Sequence, residues 1–437
     1  MDKLLVYIPE LTTRSEYIIS LLVRDLVGAE MSITQSSRDY ISYPGPKIEY
    51  SEKPSGEGIF FRSCGLLKES SVLKQATDLF RFADLPAFFR IPDEESAFPF
   101  DLFAASFYLV TRYEEYLPFK GDKYGRFSAK DSIADSGHFL EIPVVNIWVE
   151  LLRKRILESY PELILREKKF RFVPSVDIDH AYAYKQRTIK RTLGGYGRSM
   201  LHAEWNKVAE RTKVLFGMEQ DPFDQYDFLR ELHDRFQMEP LYFILFADYG
   251  NNDNNVSLTG RKFRQLVRDL DEKGQLGIHP SLRSGRNPAT LKTEIKKLEA
   301  ELGRKVYISR QHFLKVSFPE TYRCLLKQRI HEDYSLGYAS TPGFRAGIAD
   351  PFPFFDLLRN KPTSLIIHPV TLMDVTLKDY CRMDPDEAIS YGRTLMDTIK
   401  ALRGEFVSVW HNESFDESGR WKGWRRVYEA LLEDAVR

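Results

Sequence analysis

From residue 170 onwards, short apolar runs alternate with segments whose apolar residues recur every three or four positions. A run of about four to eight apolar residues is typical of a buried strand, whereas the three-to-four spacing is typical of an amphipathic helix. Seven runs occur, at residues 170–176, 241–247, 275–278, 305–309, 330–334, 364–367 and 405–410. Helices are predicted at residues 226–236, 262–270, 289–302 and 386–402. Because repeated strand–helix units form a parallel sheet, the pattern predicts an α/β fold with a closed or nearly closed (β/α) barrel of seven units.

The first part of the chain carries a separate α/β pattern. Residues 3–8 and 59–61 are predicted strands, and residues 13–28, 100–117 and 144–156 are predicted helices. A chain of 437 residues is longer than one ordinary domain core supports. We therefore expect two domains: a smaller N-terminal α/β domain over residues 1–160, whose role the sequence does not reveal, and the barrel over residues 161–437.

Composition excludes several classes of protein. Lys plus Arg and Asp plus Glu number 63 each, so no overall positive field favours a nucleic-acid partner. The three cysteines are scattered outside any metal-ligand spacing, which fits a reducing compartment. The first residues lack the apolar core of a signal peptide, and no apolar stretch approaches the roughly 20 residues of a membrane span. We expect a cytoplasmic protein.

The stretch SVDIDHAYAY, residues 175–184, ends the first predicted strand of the barrel with two carboxylates. Residues two apart in a strand point to the same face, so Asp177 and Asp179 converge if the extended backbone continues. Such like charges repel unless a cation, a proton or hydrogen-bond donors lie between them. Either the two acids cap the next helix, or one ligates a divalent metal while the other acts as a base toward water that the metal activates.

Further polar residues follow the other predicted strands, where loops of such folds carry the chemistry. His279 and His312 are candidate metal ligands, and Arg310 is a candidate for orienting the aspartates or a substrate carbonyl; the alternatives are structural histidines and a solvated arginine. His411 is a candidate general acid, with Glu413 or another carboxylate fixing its tautomer. The candidate substrate-binding residues are Ser281, Tyr334 and Arg345, although the glycine-rich stretch 343–352 around Arg345 could equally be an irregular loop.

These motifs, in this order along residues 168–437, resemble the polysaccharide deacetylases of the family-four carbohydrate esterase type, which have a distorted seven-unit barrel. The resemblance is closest to bacterial members with a separate N-terminal domain, to which residues 1–160 are similar, including TRYEEYLPFKGDKYGRF. It implies that Asp177 is the catalytic base and that Arg310 fixes it. It also implies that Asp179 and His279 bind the metal and that His411 is the general acid.

One position departs from the family pattern. Four residues after His279, where the family commonly has a second histidine, this chain has Arg283. We therefore expect His312 to supply the third ligand. The resemblance implies a hydrolase that uses a divalent metal, with Zn²⁺ expected, to remove N-acetyl or O-acetyl groups from a sugar or polysaccharide. The alternatives are a non-catalytic barrel that binds glycans or a scaffold partner, and a glycosyltransferase in which Asp-x-Asp binds metal and nucleotide sugar.

A basic segment interrupts the barrel pattern at residues 185–213. It is either a solvated helical insertion or a basic lid that meets an anionic glycan, a lipid-linked saccharide or the inner membrane surface. The expected partner is thus a carbohydrate substrate. If the segment is a basic lid, this substrate is anionic or lipid-linked, and the segment itself is a candidate for peripheral membrane contact.

Overall fold

The computed structural model describes residues 3–92, 94–248, 250, 253 and 255–437. The N-terminal part contains a parallel four-stranded sheet in the order β2-β1-β3-β4. Its strands are β1 (Leu4–Tyr7), β2 (Met31–Thr34), β3 (Lys47–Ser51) and β4 (Ile59–Arg62). A short antiparallel hairpin follows, formed by β5 (Phe80–Phe82) and β6 (Leu85–Ala87).

The helices of this part are short except for the last. They are α1 (Thr13–Ile19), α2 (Ser37–Ser42), α3 (Leu102–Val110), α4 (Ile133–Ser136) and α5 (Val144–Ser159). A capping box between Thr12 and Ser15 begins α1, because each side chain bonds the other's backbone N–H. The predicted helix at 13–28 continues after α1 as a π-helical segment, Ser20–Leu26. Three single 3-10 turns lie at Leu66–Lys68, Tyr113–Tyr116 and Ala129–Asp131.

The C-terminal part is built on a curled sheet of nine strands. The strands are β7 (Arg171–Ile178), β8 (Leu241–Ile244), β9 (Gln275–Ile278), β10 (Ile308–Ser309), β11 (Glu332–Leu336), β12 (Phe352–Asp356), β13 (Lys361–Pro369), β14 (Leu372–Met373) and β15 (Glu405–His411). Their order is β12-β13-β11-β10-β9-β8-β7-β15-β14, and neighbours are parallel except β12 and β13. The predicted α/β class is confirmed. The seven-unit count is not, because β12 and β14 join the sheet at its two edges.

Helices accompany these strands. They are α6 (Ile189–Leu201), α7 (Trp205–Leu215), α8 (Tyr226–Phe236), α9 (Arg261–Lys273), α10 (Pro288–Leu302), α11 (Glu320–Lys327), α12 (Pro385–Ala401) and α13 (Arg425–Val436). Further 3-10 turns lie at Ser284–Arg286, His312–Leu314 and Asn412–Phe415, and a π-helical turn lies at Thr376–Tyr380. Among the helices that the structure describes, none is both long and apolar enough to cross a bilayer.

A buried interface connects the two sheets. The ring of Tyr17 in α1 packs against Phe355 in β12 with 5.0 Å between the ring centroids. Nearby, Glu115 accepts hydrogen bonds from two guanidinium groups, those of Arg112 and Arg345. All three charged side chains are buried. The N-terminal part therefore packs against the large sheet through apolar contacts and through a buried ion cluster.

Candidate functional site

The two aspartates lie at the carboxyl end of β7, as their position after an apolar run predicts. Asp177 is the second-last residue of the strand and pairs with Phe243 of β8 on one side and His411 of β15 on the other. Asp179 follows the strand directly. Because parallel strands end at one edge of the sheet, residues that follow β7, β9, β10 and β15 meet there.

Three side chains at this edge place potential metal ligands together. They are Asp179, His279 after β9 and His312 after β10, and one ligand atom from each lies within 4.8 Å of the others. The carboxylate of Asp179 lies 3.2 Å from His279 Nε2 and 3.3 Å from His312 Nε2. Burial opposes ionisation of Asp179, but His312 and His279 outweigh it and hold the pKa of this carboxyl well below its usual value.

This group of residues fits a divalent metal ion. One carboxylate and two imidazoles are a common set of three protein ligands for catalytic zinc. Oδ1 of Asp179 is buried and makes no well-directed hydrogen bond within the described residues, although it faces His279 Nε2. Nδ1 of His312 lies 3.0 Å from Oδ1 of Asp253. A carboxylate at Nδ1 fixes the tautomer and leaves Nε2 available for a metal.

Arg310 holds the other aspartate. It is fully buried, and its Nη1 donates to Asp177 Oδ1 and to Ser175 Oγ, both at 2.8 Å. Its Nε donates to the carbonyl oxygen of Tyr334, and its guanidinium lies over the ring of Phe243 at 4.3 Å from the centroid. A guanidinium held this way fixes the orientation of the carboxylate that it contacts.

Asp374 holds His411 at the end of β15. Its carboxylate accepts from the backbone N–H of His411 at 2.8 Å, lies 2.9 Å from His411 Nδ1, and also accepts from the hydroxyl of Ser414. Burial favours the neutral imidazole, but Asp374 reverses this and raises the pKa of His411 well above its usual value. Nε2 of His411 lies 3.9 Å from the carboxylate of Asp179. The Nε2 side of the His411 ring therefore faces the metal-ligand group.

These side chains open into a cavity of about 210 Å³. Its walls combine polar groups with an apolar side formed by Phe313, Leu314, Ala339, Met373, Val375 and Tyr380. A cavity of this composition, with few convergent polar groups, is the usual form of a small-molecule site.

The N-terminal part also contributes to this cavity. Arg126 lines it and donates from Nη1 to the carbonyl oxygen of Phe313 at 2.8 Å. Tyr124 stacks on Phe313, which in turn stacks on His312, with centroid distances of 4.8 and 4.1 Å. Phe313 and Leu314 have φ values of 62° and 49°, a left-handed conformation that residues with a β-carbon adopt only when neighbours enforce it. The segment around Tyr124 thus supports the loop that carries His312.

The structure brings six of the predicted site residues together: Asp177, Asp179, His279, Arg310, His312 and His411. It places the three predicted substrate-binding residues away from the cavity lining. Arg345 lies against Glu115, the hydroxyl of Tyr334 donates to Glu332, and the hydroxyl of Ser281 donates to Glu294.

Sequence reasoning did not identify Asp253, Asp374 or Arg126. Asp253 lies in the loop after β8, six residues beyond the predicted run 241–247, and Asp374 follows β14, a strand that no predicted apolar run covers. Arg126 belongs to the N-terminal part. Glu413, the carboxylate named as a candidate partner of His411, lines the cavity instead.

Comparisons with known proteins give a partial likeness. The model of a family of unknown function (DUF7033) matches residues 4–161. A search of curated proteins finds no match. A structure from Mycobacterium smegmatis, described as a polysaccharide deacetylase, is 14% identical with a TM-score of 0.41, and the match covers 62% of this chain and 85% of that one. A structure from Pseudomonas aeruginosa PAO1 with the same description is 11% identical with a TM-score of 0.36, covering 61% and 84%. The Puue allantoinase structure matches with these same values. Likeness at this level leaves the activity to be inferred from the side chains of the site.

Proposed function

We propose that this protein is a metal-dependent hydrolase that removes N-acetyl or O-acetyl groups from a sugar or polysaccharide. One observation carries the proposal: three potential metal ligands converge beside an aspartate held by a buried arginine and a histidine held by a buried aspartate. This combination supplies a metal position, a base and an acid within one cavity.

Asp179, His279 and His312 would hold the ion, with zinc as the expected metal because of the nitrogen-rich ligand set. A divalent ion there would act as a Lewis acid that polarises a carbonyl group and lowers the pKa of water. The carboxylate of Asp253 orients the His312 ring for this role through Nδ1.

Asp177 is the proposed base. Arg310 occupies its Oδ1, so Oδ2 remains the oxygen that can accept a proton, and it lies 4.0 Å from His279 Nε2 beside the ligand group. The same arginine fixes the orientation of the carboxylate, so that Oδ2 points away from the guanidinium contact. In this position Asp177 takes a proton from water as the water attacks the acetyl carbon.

His411 is the proposed acid. Asp374 fixes its Nδ1, so Nε2 presents a proton toward the ligand group, and the raised pKa keeps the ring protonated until the leaving group departs. The proton passes to the nitrogen or oxygen that leaves the acetyl group. Phe313 and Leu314 on the apolar side of the cavity suit an acetyl methyl group and the carbon-bound hydrogens of a sugar ring.

The test uses the full chain, stripped of metal by a chelator and reloaded with Zn²⁺. Acetate release is measured on N-acetylated and O-acetylated glucosamine oligomers, and metal content is measured in parallel. We expect about one equivalent of zinc, zinc-dependent acetate release, and an Asp177→Asn variant that keeps its zinc but loses at least about 100-fold in turnover. Asp227→Asn, at an exposed aspartate paired with Arg230, is the matched control.

Each alternative gives a different result. Zinc binding without acetate release from any of these substrates would contradict the hydrolase and favour a barrel that only binds glycans. Sugar transfer that requires a nucleotide sugar would favour a glycosyltransferase. Full turnover by Asp177→Asn would remove Asp177 as the proton acceptor.

A further inference from the structure

The exposed apolar residues of this protein are concentrated in one segment. Among the described residues, sixteen large apolar side chains are exposed, and eight of them lie between residues 189 and 218. These are Ile189, Leu193, Met200, Leu201, Trp205, Leu215, Phe216 and Met218. The segment comprises α6, α7 and the turns that follow them, here called the helical hairpin. Scattered apolar residues on a surface are ordinary, but a group this dense indicates an interaction site.

The outward orientation is systematic along both helices. In α6, Ile189, Leu193 and Met200 are spaced by four and seven residues, so they lie on one helical face, and Ile189 and Leu193 are 79% and 64% exposed. Trp205 is the first residue of α7 and Phe216 follows its last residue, and their side chains are 63% and 76% exposed. An amphipathic helix of a water-soluble domain normally turns such a stripe inward.

Polar contacts hold the helical hairpin together and leave the apolar stripes outside. The guanidinium of Arg211 lies over the rings of Tyr184 and Tyr196, at 5.2 and 5.1 Å from the centroids. The hydroxyls of Tyr196 and Thr212 are hydrogen-bonded at 2.9 Å, and Arg211 is itself buried. The surface between α6 and α7 is therefore already filled by these contacts. The exposed apolar residues are consequently not core residues that have been turned outward.

The base of the helical hairpin is fixed beside the candidate active site. The buried carboxylate of Asp221 accepts from the backbone N–H groups of Ala183, Tyr184 and Lys185. His180, which lines the cavity, lies three residues before Ala183, the first residue that Asp221 binds. The helical hairpin thus rises from the rim of the cavity.

Charge identifies the kind of partner. Residues 185–218 contain eight Lys and Arg residues but only two Glu residues, whereas the whole chain is neutral. Lys190, Arg198 and Lys213 are exposed next to the apolar stripes. Exposed apolar side chains flanked by cations are the pattern of a helix that lies in a membrane interface, with the apolar groups at the acyl boundary and the cations among anionic headgroups.

We propose that the helical hairpin binds the surface of a lipid bilayer that contains anionic lipids. The segment lies flat at the interface, since no described helix can span a bilayer. Binding to an interface of this kind depends on both apolar burial and electrostatic attraction. This proposal does not depend on the hydrolase proposal, because binding is measured without turnover.

The chain carries its own reporter for this binding. Of the five tryptophans, Trp148, Trp410, Trp421 and Trp424 are buried, and Trp205 alone is exposed. The full chain is mixed with vesicles of phosphatidylcholine alone or with phosphatidylglycerol added. We expect sedimentation with the anionic vesicles, a blue shift of the tryptophan emission, and quenching by brominated acyl chains. All three signals weaken as salt is raised.

Two pairs of variants separate the apolar and charged contributions. Ile189→Ser with Leu193→Ser should weaken vesicle binding at least about tenfold. Leu73→Ser with Leu358→Ser, at exposed leucines elsewhere, is its control and should bind as the wild type does.

The charged pair is Lys190→Glu with Arg198→Glu, which should abolish the preference for anionic vesicles. Its control is Lys292→Glu with Lys296→Glu on α10. The proposal is overturned by wild-type protein that binds neither kind of vesicle, or by hairpin variants that bind like their controls. Self-association that is lost in Ile189→Ser with Leu193→Ser, without vesicle binding by the wild type, would instead assign the surface to a second copy of this chain.

Discussion

Replacing Glu115 by Gln should lower the free energy of unfolding more than a Glu-to-Gln substitution at an exposed position does. Glu115 accepts from Arg345 Nε and Nη2 at 2.9 and 2.5 Å and from Arg112 Nε at 2.8 Å. The side chains of these three residues are each at most 2% exposed. Burial favours the neutral acid, but the two arginines overcome it and lower the pKa of Glu115.

The expected loss follows from what the substitution leaves behind. Gln removes the negative charge from between two buried guanidinium groups and points an amide N–H₂ toward one of them. Breaking a buried ion pair by removal of one partner typically destabilises a protein by about 3–5 kcal/mol, because the remaining charge stays buried. We therefore expect the free energy of unfolding to fall by about that amount. Urea denaturation followed by tryptophan fluorescence and circular dichroism measures it.

A control defines the scale of this effect. Glu158 forms an exposed pair with Lys154 at 3.9 Å, and such pairs contribute about 0–1 kcal/mol. Glu158→Gln should accordingly be nearly neutral. If the free energy of unfolding falls by less than about 1 kcal/mol in Glu115→Gln, or by no more than in the control, the ion cluster does not stabilise the interface between the two sheets.

Three further predictions concern the site and the pH dependence of stability. Asp374→Asn should reduce turnover by about 10²–10⁴-fold. It should also move the alkaline limb of the pH–rate profile to lower pH, because the pKa of His411 falls when the carboxylate charge is removed. An alkaline limb that does not move would exclude His411 as the acid. Arg126→Ala should raise KM while zinc content stays constant, because Arg126 supports Phe313 at the cavity wall; wild-type KM would show that the wall does not need it. Burial lowers the pKa of His233 to about 4, so between about pH 6.5 and 4 the unfolded chain takes up a proton that the folded chain excludes. Stability should thus fall as pH falls, by about 2 kcal/mol from this group between pH 7 and 5, and His233→Gln should lose that part of the decrease in denaturation curves measured at both pH values.

Much of the candidate site could be predicted because it depends on local pattern. Asp177 and Asp179 follow an apolar run with two-residue spacing, and a strand turns that spacing into one shared face. His279 and His411 likewise follow runs that become β9 and β15. In a parallel sheet the ends of all strands lie at one edge, so residues far apart in the chain could be expected to meet without knowledge of any contact.

The partners of these residues could not be predicted in the same way. Asp374 and Asp253 reach the imidazoles from loops, and no periodic pattern indicates where a loop side chain points. Arg345 shows the difference most clearly. Its glycine-rich surroundings are compatible with a substrate-binding loop, but the fold buries it against Glu115, which lies 230 positions earlier.

The sequence by itself therefore determined the succession of strands and helices and the end of the sheet at which reactive side chains gather, because those depend on spacing along the chain. Only the tertiary structure decided that Glu115 pairs with Arg345 and that Asp374 pairs with His411. It also decided that Tyr124 and Arg126 of the N-terminal part support the loop of His312, and that the apolar stripe of α6 faces outward. These outcomes depend on the energies of packing and ion pairing between segments remote in sequence. Hydrophobic periodicity predicts that a residue is buried, but it does not predict which other residue contacts it.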